Sequence, residues 1–502
     1  LDENEMDERC GERQRRGLRP RKKVNFNKHL GVSDVNDYTM FHVIPLQHEI
    51  TGVSGLPAPK HKNKDAGTTG TTSPSRAPRA PTSDGVLQPG LEDLEHTALT
   101  QCSAKKGLKV FGKEGEDAIL SEMKQLDTMD VVEPKKAAML TRQQKKDALE
   151  YLMFLKKKRC GRIKGRGCAD GRKQRIYKTK EETSSPTVAT ESLFMSCVID
   201  ADEGRDVATC DIPGAFMQAT MDEEVHVRLS GPLATLLARV DPKKYAKFIV
   251  MEKGKPVIYV KLKKALYGTL QAALLFWKDL SGKLKEWGFK ANPHDECVAN
   301  KTINDKQCTI LWHVDDLKIS HVDSEVVDEI IRMLNERYGK DAPLVVTRGK
   351  IHDYLGMTID FSLPKKVVIR MDDYADNILS EARDDTEGES TSPAAEHLFD
   401  VNEENGTKLN EEDSQYFHTM TAKLLFLSKK ARPDLQQAVA FLCTRVKSPD
   451  KDDYKKLGRT IKHLRGEPHL PLTLEADNMQ VIKWWVDASF AGHKDMRRHT
   501  GG

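Results

Sequence analysis

Long apolar runs are missing from this sequence of 502 residues. No stretch approaches the roughly eighteen consecutive apolar residues of a membrane-spanning helix, and no positively charged start precedes an apolar core. Close cysteine pairs are also missing, because even Cys160 and Cys168 are too far apart for a zinc-finger pattern. We therefore expect an intracellular protein with no membrane partner, in which all nine cysteines are reduced thiols.

The N-terminal part of the sequence has few apolar residues to bury. A tract rich in Thr, Ser, Pro, Gly and Lys runs from about residue 52 to residue 90, and we predict that residues 1–106 form a disordered linker. A basic run in this linker either binds nucleic acid, directs nuclear import or is a solvated tail. Its cations are Arg13, Arg15, Arg16, Arg19, Arg21, Lys22, Lys23 and Lys28. Because the chain begins with Leu1 rather than Met, we also expect a piece of a longer reading frame.

Two adjacent aspartates, Asp315 and Asp316, interrupt an otherwise apolar run. Alternating apolar residues on both sides predict two short strands joined at a tip that carries both carboxylates. Because adjacent like charges repel, a hard divalent cation with oxygen ligands would stabilise such a tip. An ordinary Asp-rich turn is the alternative, and this motif alone does not decide between them.

A third carboxylate, Asp211, stands at the end of an apolar strand far upstream and precedes a turn at Pro213–Gly214. A lone Asp in such a place is usually a cap or turn residue. Together with the aspartate pair, it predicts three carboxylates on one sheet. Such a cluster can hold two Mg²⁺ ions for in-line phosphoryl transfer.

Three ordered motifs carry a resemblance to a known family. Residues 211–217, Asp-Ile-Pro-Gly-Ala-Phe-Met, resemble the first catalytic motif of reverse transcriptases of copia-type retrotransposons. Residues 313–316, His-Val-Asp-Asp, resemble their Tyr-Val-Asp-Asp box, and residues 264–273 resemble their Ser-Leu-Tyr-Gly-Leu-Lys-Gln-Ala-Pro motif. The resemblance extends from about residue 135 to the C terminus. It implies an α+β right-hand polymerase with fingers, thumb and an antiparallel palm sheet.

The implied activity is RNA-directed DNA polymerisation in a retrotransposon, by nucleotidyl transfer onto a primer 3′-hydroxyl. Two Mg²⁺ ions, or Mn²⁺, would be held by Asp211, Asp315 and Asp316, with the backbone carbonyl of Ile212 as a further ligand. The implied partners are an RNA or DNA template with its primer and deoxynucleoside triphosphates, in a cytoplasmic particle, the nucleus or both. A decayed, non-catalytic nucleic-acid-binding remnant is the alternative, and a two-metal nuclease is a weaker one.

Four further residues are implied to bind the incoming nucleotide. Lys164 and Arg166 lie in a basic β-hairpin that we predict to turn at Asp170–Gly171, where the alternative role is a general basic surface. Phe216 is implied to be the gate that excludes a ribose 2′-hydroxyl, and a core residue is its alternative. Gln271 matches the glutamine beside the family's nucleotide site.

The expected organisation after the linker has three parts. Residues 107–380 form fingers and palm, and residues 381–480 form an acidic loop followed by a helical thumb or connection. Residues 481–502 resemble the start of an RNase H-like domain, with Asp487 as its first carboxylate, but the chain ends before the other acidic ligands. Helical spacing predicts helices over 114–126 and 270–287. Residues 422–443, continuing to Leu464, resemble the family's helical thumb or connection region.

Overall fold

The computed structural model describes residues 102–158, 161–401, 406–479, 481, 487–489 and 499–501. Residues 1–101 of the predicted linker lie outside the described residues, and so does most of the predicted RNase H-like start. Residues 102–106, also predicted to be disordered, instead form a short strand and the beginning of a helix. None of the helices in the described part is long and apolar enough to cross a bilayer.

Helices and strands alternate through the described residues and are numbered in chain order. The helices are α1 (Ala104–Thr128), α2 (Arg142–Asp147), α3 (Thr190–Glu203), α4 (Pro232–Val240), α5 (Pro242–Tyr245), α6 (Ala272–Glu286), α7 (Ser324–Tyr338), α8 (Asp372–Ser380), α9 (Glu411–Lys430), α10 (Gln436–Arg445) and α11 (Lys451–Gly466). The strands are β1 (Cys102–Ser103), β2 (Val132–Lys135), β3 (Leu149–Lys157), β4 (Ile163–Ala169), β5 (Asp206–Asp211), β6 (His226–Ser230), β7 (Val250–Glu252), β8 (Lys255–Leu262), β9 (Lys290–Ala291), β10 (Val298–Ile303), β11 (Lys306–His313), β12 (Asp316–His321), β13 (Val345–Arg348), β14 (Ile351–Tyr354), β15 (Met357–Asp360), β16 (Lys366–Arg370), β17 (Leu472–Glu475), β18 (Asp487–Ser489) and β19 (His499–Gly501).

The chain divides into two compact units, and each is discontinuous in sequence. The carboxylate unit contains residues 185–215 and the chain from Trp277 onward, and the hairpin unit contains the described residues up to Ser184 together with 216–276. The palm and the C-terminal helices, which the sequence assigns to different parts, therefore fall into one unit.

The carboxylate unit is built around a six-stranded antiparallel sheet with the strand order β13-β5-β12-β11-β10-β9. Apolar residues alternate along its central strands, and Ile310 and Trp312 are buried in the core. Helix α7 contacts this sheet through a buried apolar face that includes Val327, Ile330 and Leu334. A four-stranded sheet, β14-β15-β16-β17, and the helices α9, α10 and α11 complete the unit.

The hairpin unit contains a seven-stranded sheet in which β3 pairs with β1, β4 and β6, and β8 pairs with β6, β2 and β7. Helix α1 contacts β3 and β4 closely. A Cβ added to Gly165 would lie 2.8 Å from the carbonyl oxygen of Ala118, and one added to Gly167 would lie 1.8 Å from the hydroxyl of Tyr151. Two glycines on β4 therefore allow the helix and a neighbouring tyrosine to pack directly against the strand.

The α+β class and the antiparallel palm sheet are confirmed, but several local predictions need correction. The predicted helix over 114–126 corresponds to the part of α1 after Gly112, whose φ of 51° and ψ of −124° are non-helical, and a helical segment from Ala104 that was not predicted precedes this kink. The β3–β4 hairpin turns between Lys158 and Arg162, not at Asp170–Gly171. Asp170 instead accepts the backbone N–H of Arg172 and caps a short 3₁₀ helix.

The C-terminal helices also differ from the prediction in their limits. Helix α9 begins at Glu411 rather than at residue 422, since Asn410 caps it by accepting the N–H of Asp413. The acidic segment from Glu381 to Asn410 is largely without regular structure in its described part, as the prediction of a loop requires.

Candidate active site

Strands β5 and β12 bring two of the three candidate carboxylates together. The two strands pair in antiparallel register, and Asp211 lies directly opposite Asp316. Directly opposed residues of an antiparallel pair have Cβ atoms about 4.5–5.5 Å apart. Asp315 is the residue immediately before Asp316, at the turn between β11 and β12.

The turn that carries Asp315 is strained. Its central residues are Val314 and Asp315, so Asp316 is the first residue of β12 rather than part of the tip, a shift of one position from the prediction. Val314 has a φ of 61°, and Asp315 has no positive φ. This combination is typical of a type II′ turn, whose first central position favours glycine. A branched residue there costs about 1–3 kcal/mol, and such strain is concentrated at functional sites.

Hydrogen bonds from neighbouring strands fix the backbone of the two adjacent aspartates. The hydroxyl of Tyr354, a buried residue at the end of β14, donates to the carbonyl oxygen of Asp316 at 3.0 Å. The N–H of Ile212 donates to the carbonyl oxygen of Asp315 at 3.4 Å. Because the backbone is held from both sides, the carboxylates project from a rigid support.

The three carboxylates influence one another electrostatically. Burial, followed by the negative charges of Asp315 and Asp211, raises the pKa of Asp316 to about 7. A cation placed among the three groups would relieve this repulsion. Repulsion among neighbouring carboxylates is the electrostatic condition under which a divalent cation stabilises a site.

The donor atoms fit Mg²⁺ or Mn²⁺, since both prefer carboxylate and carbonyl oxygen. However, within the described part of the chain no group of three or more His, Cys, Asp or Glu side chains is placed to enclose a metal ion. Protein-bound Mg²⁺ commonly takes one or two carboxylates and completes its coordination with water and substrate phosphates. The residues present therefore fit a site that is completed by substrate, with Asp211, Asp315, Asp316 and the carbonyl of Ile212 as candidate ligands.

His313, beside the strained turn, is held in its neutral form. Burial, and secondarily the charge of Lys430, lowers the pKa of His313 to about 4. Its Nδ1 atom is buried and has no hydrogen-bond partner among the described residues. A neutral ring adds no positive charge that would compete with a cation at the carboxylates.

Lys164 and Arg166 lie on β4 in the hairpin unit, two residues apart and therefore on the same face of the strand. Lys164 is exposed and Arg166 is half-buried. The guanidinium of Arg166 lies over the ring of Tyr267, with its carbon 5.9 Å from the ring centroid. Burial raises the pKa of the nearby Glu122, and the charges of Lys164 and Arg166 oppose that increase.

Phe216 and Gln271 are both buried in the hairpin unit. Phe216 is 6% exposed and contacts Tyr267, with ring centroids 4.6 Å apart. Gln271 is 1% exposed, and its amide accepts a hydrogen bond from Gln174 at 2.9 Å and donates one to Glu223 at 2.6 Å. Both ends of its amide are thus bonded to protein, and contact between Gln271 and a nucleotide stays a prediction.

Sequence reasoning missed two groups near the predicted sites. Tyr267 lies within residues 264–273, the segment that resembles a family motif, and this position could have marked it as a functional residue. Its contacts, however, are with residues distant in sequence. Lys318, on the same strand as Asp316, forms a buried ion pair with Asp200 of α3. A lysine within an otherwise apolar strand could have predicted a buried ion pair at this position.

The comparisons with known proteins agree with this architecture. Residues 138–394 match the family model described as reverse transcriptase (RNA-dependent DNA polymerase). The match covers just over half of the chain, and the chain belongs to this family.

Two similar proteins are retrovirus-related Pol polyproteins of Arabidopsis thaliana, from the transposons RE1 and RE2. Each of the two is 25% identical to this chain in a match that covers 68% of this chain. The same matches cover 21% of the RE1 polyprotein and 22% of the RE2 polyprotein. The resemblance to retrotransposon Pol polyproteins is thus confirmed, and the chain spans about a fifth of the length of these relatives. A solved structure of a foamy viral protease-reverse transcriptase in complex with double-stranded DNA is also similar. The match covers 66% of this chain and 48% of the chain in that structure. Its identity is 11% and its TM-score is 0.30, which is too low to support an inference.

Proposed function

We propose that the chain is the RNA-directed DNA polymerase of a copia-type retrotransposon and transfers deoxynucleotides onto a primer 3′-hydroxyl. The observation that carries the proposal is the register of β5 and β12, which sets Asp211 opposite Asp316, with Asp315 next to it on a strained turn. Membership of the reverse transcriptase family supports the same activity.

The carboxylates would hold two Mg²⁺ ions, with Asp211 and Asp315 as the principal ligands and Asp316 as a weaker one. When bound, the ions would lower the pKa of the primer 3′-hydroxyl and neutralise the departing pyrophosphate. The raised pKa of Asp316 reflects burial and repulsion among the three carboxylates, which a bound cation would relieve.

Residues of the hairpin unit would bind the nucleotide and the template. Arg166 can bind triphosphate oxygens with two parallel hydrogen bonds, and the exposed Lys164 adds a second positive charge. Phe216 would exclude the 2′-hydroxyl by its bulk. Template and primer, RNA or DNA, would be bound through their backbones, because a polymerase accepts every sequence.

The test is primer extension on a poly-A template with an oligo-dT primer, dTTP and Mg²⁺, read alongside binding of the same duplex. Extension that depends on Mg²⁺ supports the proposal. Binding without extension favours a decayed nucleic-acid-binding remnant, and cleavage of the duplex favours a nuclease. Loss of extension in Asp211→Asn excludes a contaminating polymerase.

A further inference from the structure

The ring of Tyr267 lies between two residues with different proposed tasks. Its centroid is 4.6 Å from that of Phe216, with the two planes at 39°, and the guanidinium carbon of Arg166 is 5.9 Å from the same centroid. One aromatic side chain thus contacts both the proposed sugar gate and the proposed triphosphate ligand. Phe276 also contacts Phe216, at 6.5 Å between centroids.

The backbone of Tyr267 has little freedom to move. Its carbonyl oxygen accepts the N–H of Ala169 at 2.8 Å, at the end of β4. The next residue, Gly268, has a φ of 87°, and a Cβ at this position would lie 2.1 Å from the carbonyl oxygen of Ala169. Since Arg166 lies on the same strand as Ala169, one strand positions both the guanidinium and the ring that it covers.

We infer that Tyr267 is a positioning and specificity-determining residue that joins the triphosphate-binding cation to the sugar gate, an inference that rests on the proposed polymerase function. The ring face attracts the guanidinium through a cation–π interaction and so orients it before a triphosphate arrives. The same ring packs on Phe216 and stops that side chain from moving away from a 2′-hydroxyl. Nucleotide affinity and sugar discrimination therefore depend on a single side chain.

Three variants of Tyr267 separate its π face, its bulk and its hydroxyl. Tyr267→Phe keeps the ring and should preserve both properties. Tyr267→Leu keeps bulk without a π face, so the KM for dTTP should rise about threefold to tenfold with kcat little changed. Tyr267→Ala removes both, so the same rise should be joined by about a tenfold increase in the ratio of rUTP to dTTP incorporation.

Single-nucleotide extension kinetics with dTTP and rUTP measure these changes, with thermal melting as a check on folding. Phe276→Leu is the matched control, because Phe276 also contacts Phe216, whereas the ring under the guanidinium of Arg166 is that of Tyr267. This control should lower the melting temperature but leave the KM for dTTP unchanged. A role in packing alone would move the melting temperature in every variant and the KM in none.

The outcomes distinguish this inference from the proposed function. A parent chain that binds duplex but never extends it overturns both. If the parent extends normally and a folded Tyr267→Ala variant keeps the parental KM and sugar ratio, the inference fails and the polymerase function stands. Should the alanine variant fail to fold, a parental KM in Tyr267→Leu overturns the inference.

Discussion

Lys318 and Asp200 form an ion pair in which both side chains are almost completely buried, at 2% and 0% exposure. Lys318 lies on β12, two residues after Asp316, and its ammonium also donates to the hydroxyl of Ser196 at 2.9 Å. Both partners of the lysine belong to α3. The pair therefore links α3 to the strand that carries a candidate metal ligand.

Removing one member of this pair should destabilise the fold strongly. Lys318→Met leaves the carboxylate of Asp200 buried without its main counter-charge, and we expect a loss of about 3–5 kcal/mol in the free energy of unfolding. Urea unfolding followed by circular dichroism measures this change. The double variant Lys318→Met with Asp200→Leu is the control and should regain part of the loss, since the unpaired carboxylate is removed while the buried Arg205, 3.8 Å from Asp200 in the parent, keeps its ion pair with Glu203. Equal stability of parent and single variant would contradict a buried ion pair.

Asp315→Asn should abolish DNA synthesis while the fold is preserved. The substitution removes one candidate metal ligand and also one of the charges that raise the pKa of Asp316, so stability should stay equal or increase. Primer extension and thermal melting measure the two effects. Asp305→Asn, at the β10–β11 turn, is a matched control that should keep full activity. Extension by Asp315→Asn within about tenfold of the parent would exclude this turn as the metal site.

Phe216→Val should admit ribonucleotides without ending synthesis. The smaller side chain leaves room for a 2′-hydroxyl, because discrimination by steric exclusion needs no hydrogen bond. The buried position of Phe216 adds a cost, and we expect about 1–3 kcal/mol of lost stability, less than for truncation to alanine. Incorporation of rUTP and dTTP should be measured beside thermal melting. A folded, active variant that still rejects rUTP as well as the parent does would show that Phe216 is a core residue only.

Binding to a primer–template duplex should weaken steeply with salt. Neutralising Lys156, Lys157 and Lys158 at the tip of the β3–β4 hairpin should flatten the slope of log K against log salt, by about 0.9 for each phosphate that these lysines no longer neutralise. The neighbouring Arg159 lies outside the described residues. Fluorescence anisotropy over a salt series measures the slope. Neutralising Lys253 and Lys255 at the β7–β8 turn is the control, and equal slopes for both variants would show that the hairpin tip does not contact nucleic acid.

Stability should depend on pH through Lys430 in the alkaline range. Burial lowers the pKa of Lys430 from 10.5 to about 8, while its ammonium donates to the carbonyl oxygen of Leu355 at 2.6 Å. Between these two pH values the unfolded chain binds more protons at this residue than the folded chain. Its contribution to stability therefore rises with pH across this window and is lost as pH falls through 8. Lys430→Gln should remove this rise, and urea unfolding from about pH 7.5 to about pH 10.5 compares the two slopes. Parallel curves for parent and variant would contradict the lowered pKa.

The sequence predicted features that depend on local pattern. The alternation around Asp315 defined β11 and β12, and the apolar residues before Asp211 defined β5, so the strands of the site were foreseen. Their register was not, because it follows from how whole strands pair. The Asp170–Gly171 dipeptide is a strong local turn signal, yet the hairpin turns earlier. Pairing between β3 and β4, together with the packing of α1, outweighed it.

Contacts between residues distant in sequence account for most of the remaining differences. Gln271 matched a motif, but its burial depends on Gln174 and Glu223, which no spacing rule connects to it. The motif includes Tyr267, but the sequence did not predict that its ring lies between Phe216 and Arg166. Side-chain partners of this kind depend on tertiary packing, which a single sequence does not report.

Gly165 and Gly167 of β4 are required by the fold, whereas the residues next to them are proposed to serve the activity. A substitution at Gly165 or Gly167 adds a Cβ that collides with Ala118 or Tyr151, so almost any change there breaks the unit. Lys164 and Arg166 alternate with these glycines, and their replacement costs the backbone nothing. A copy of this sequence could thus lose the two charges that we propose to bind the triphosphate, one by one, and still fold. An intact fold is therefore no guarantee of a working enzyme, and we expect residues 164 and 166 to vary more freely among copies than the two glycines next to them.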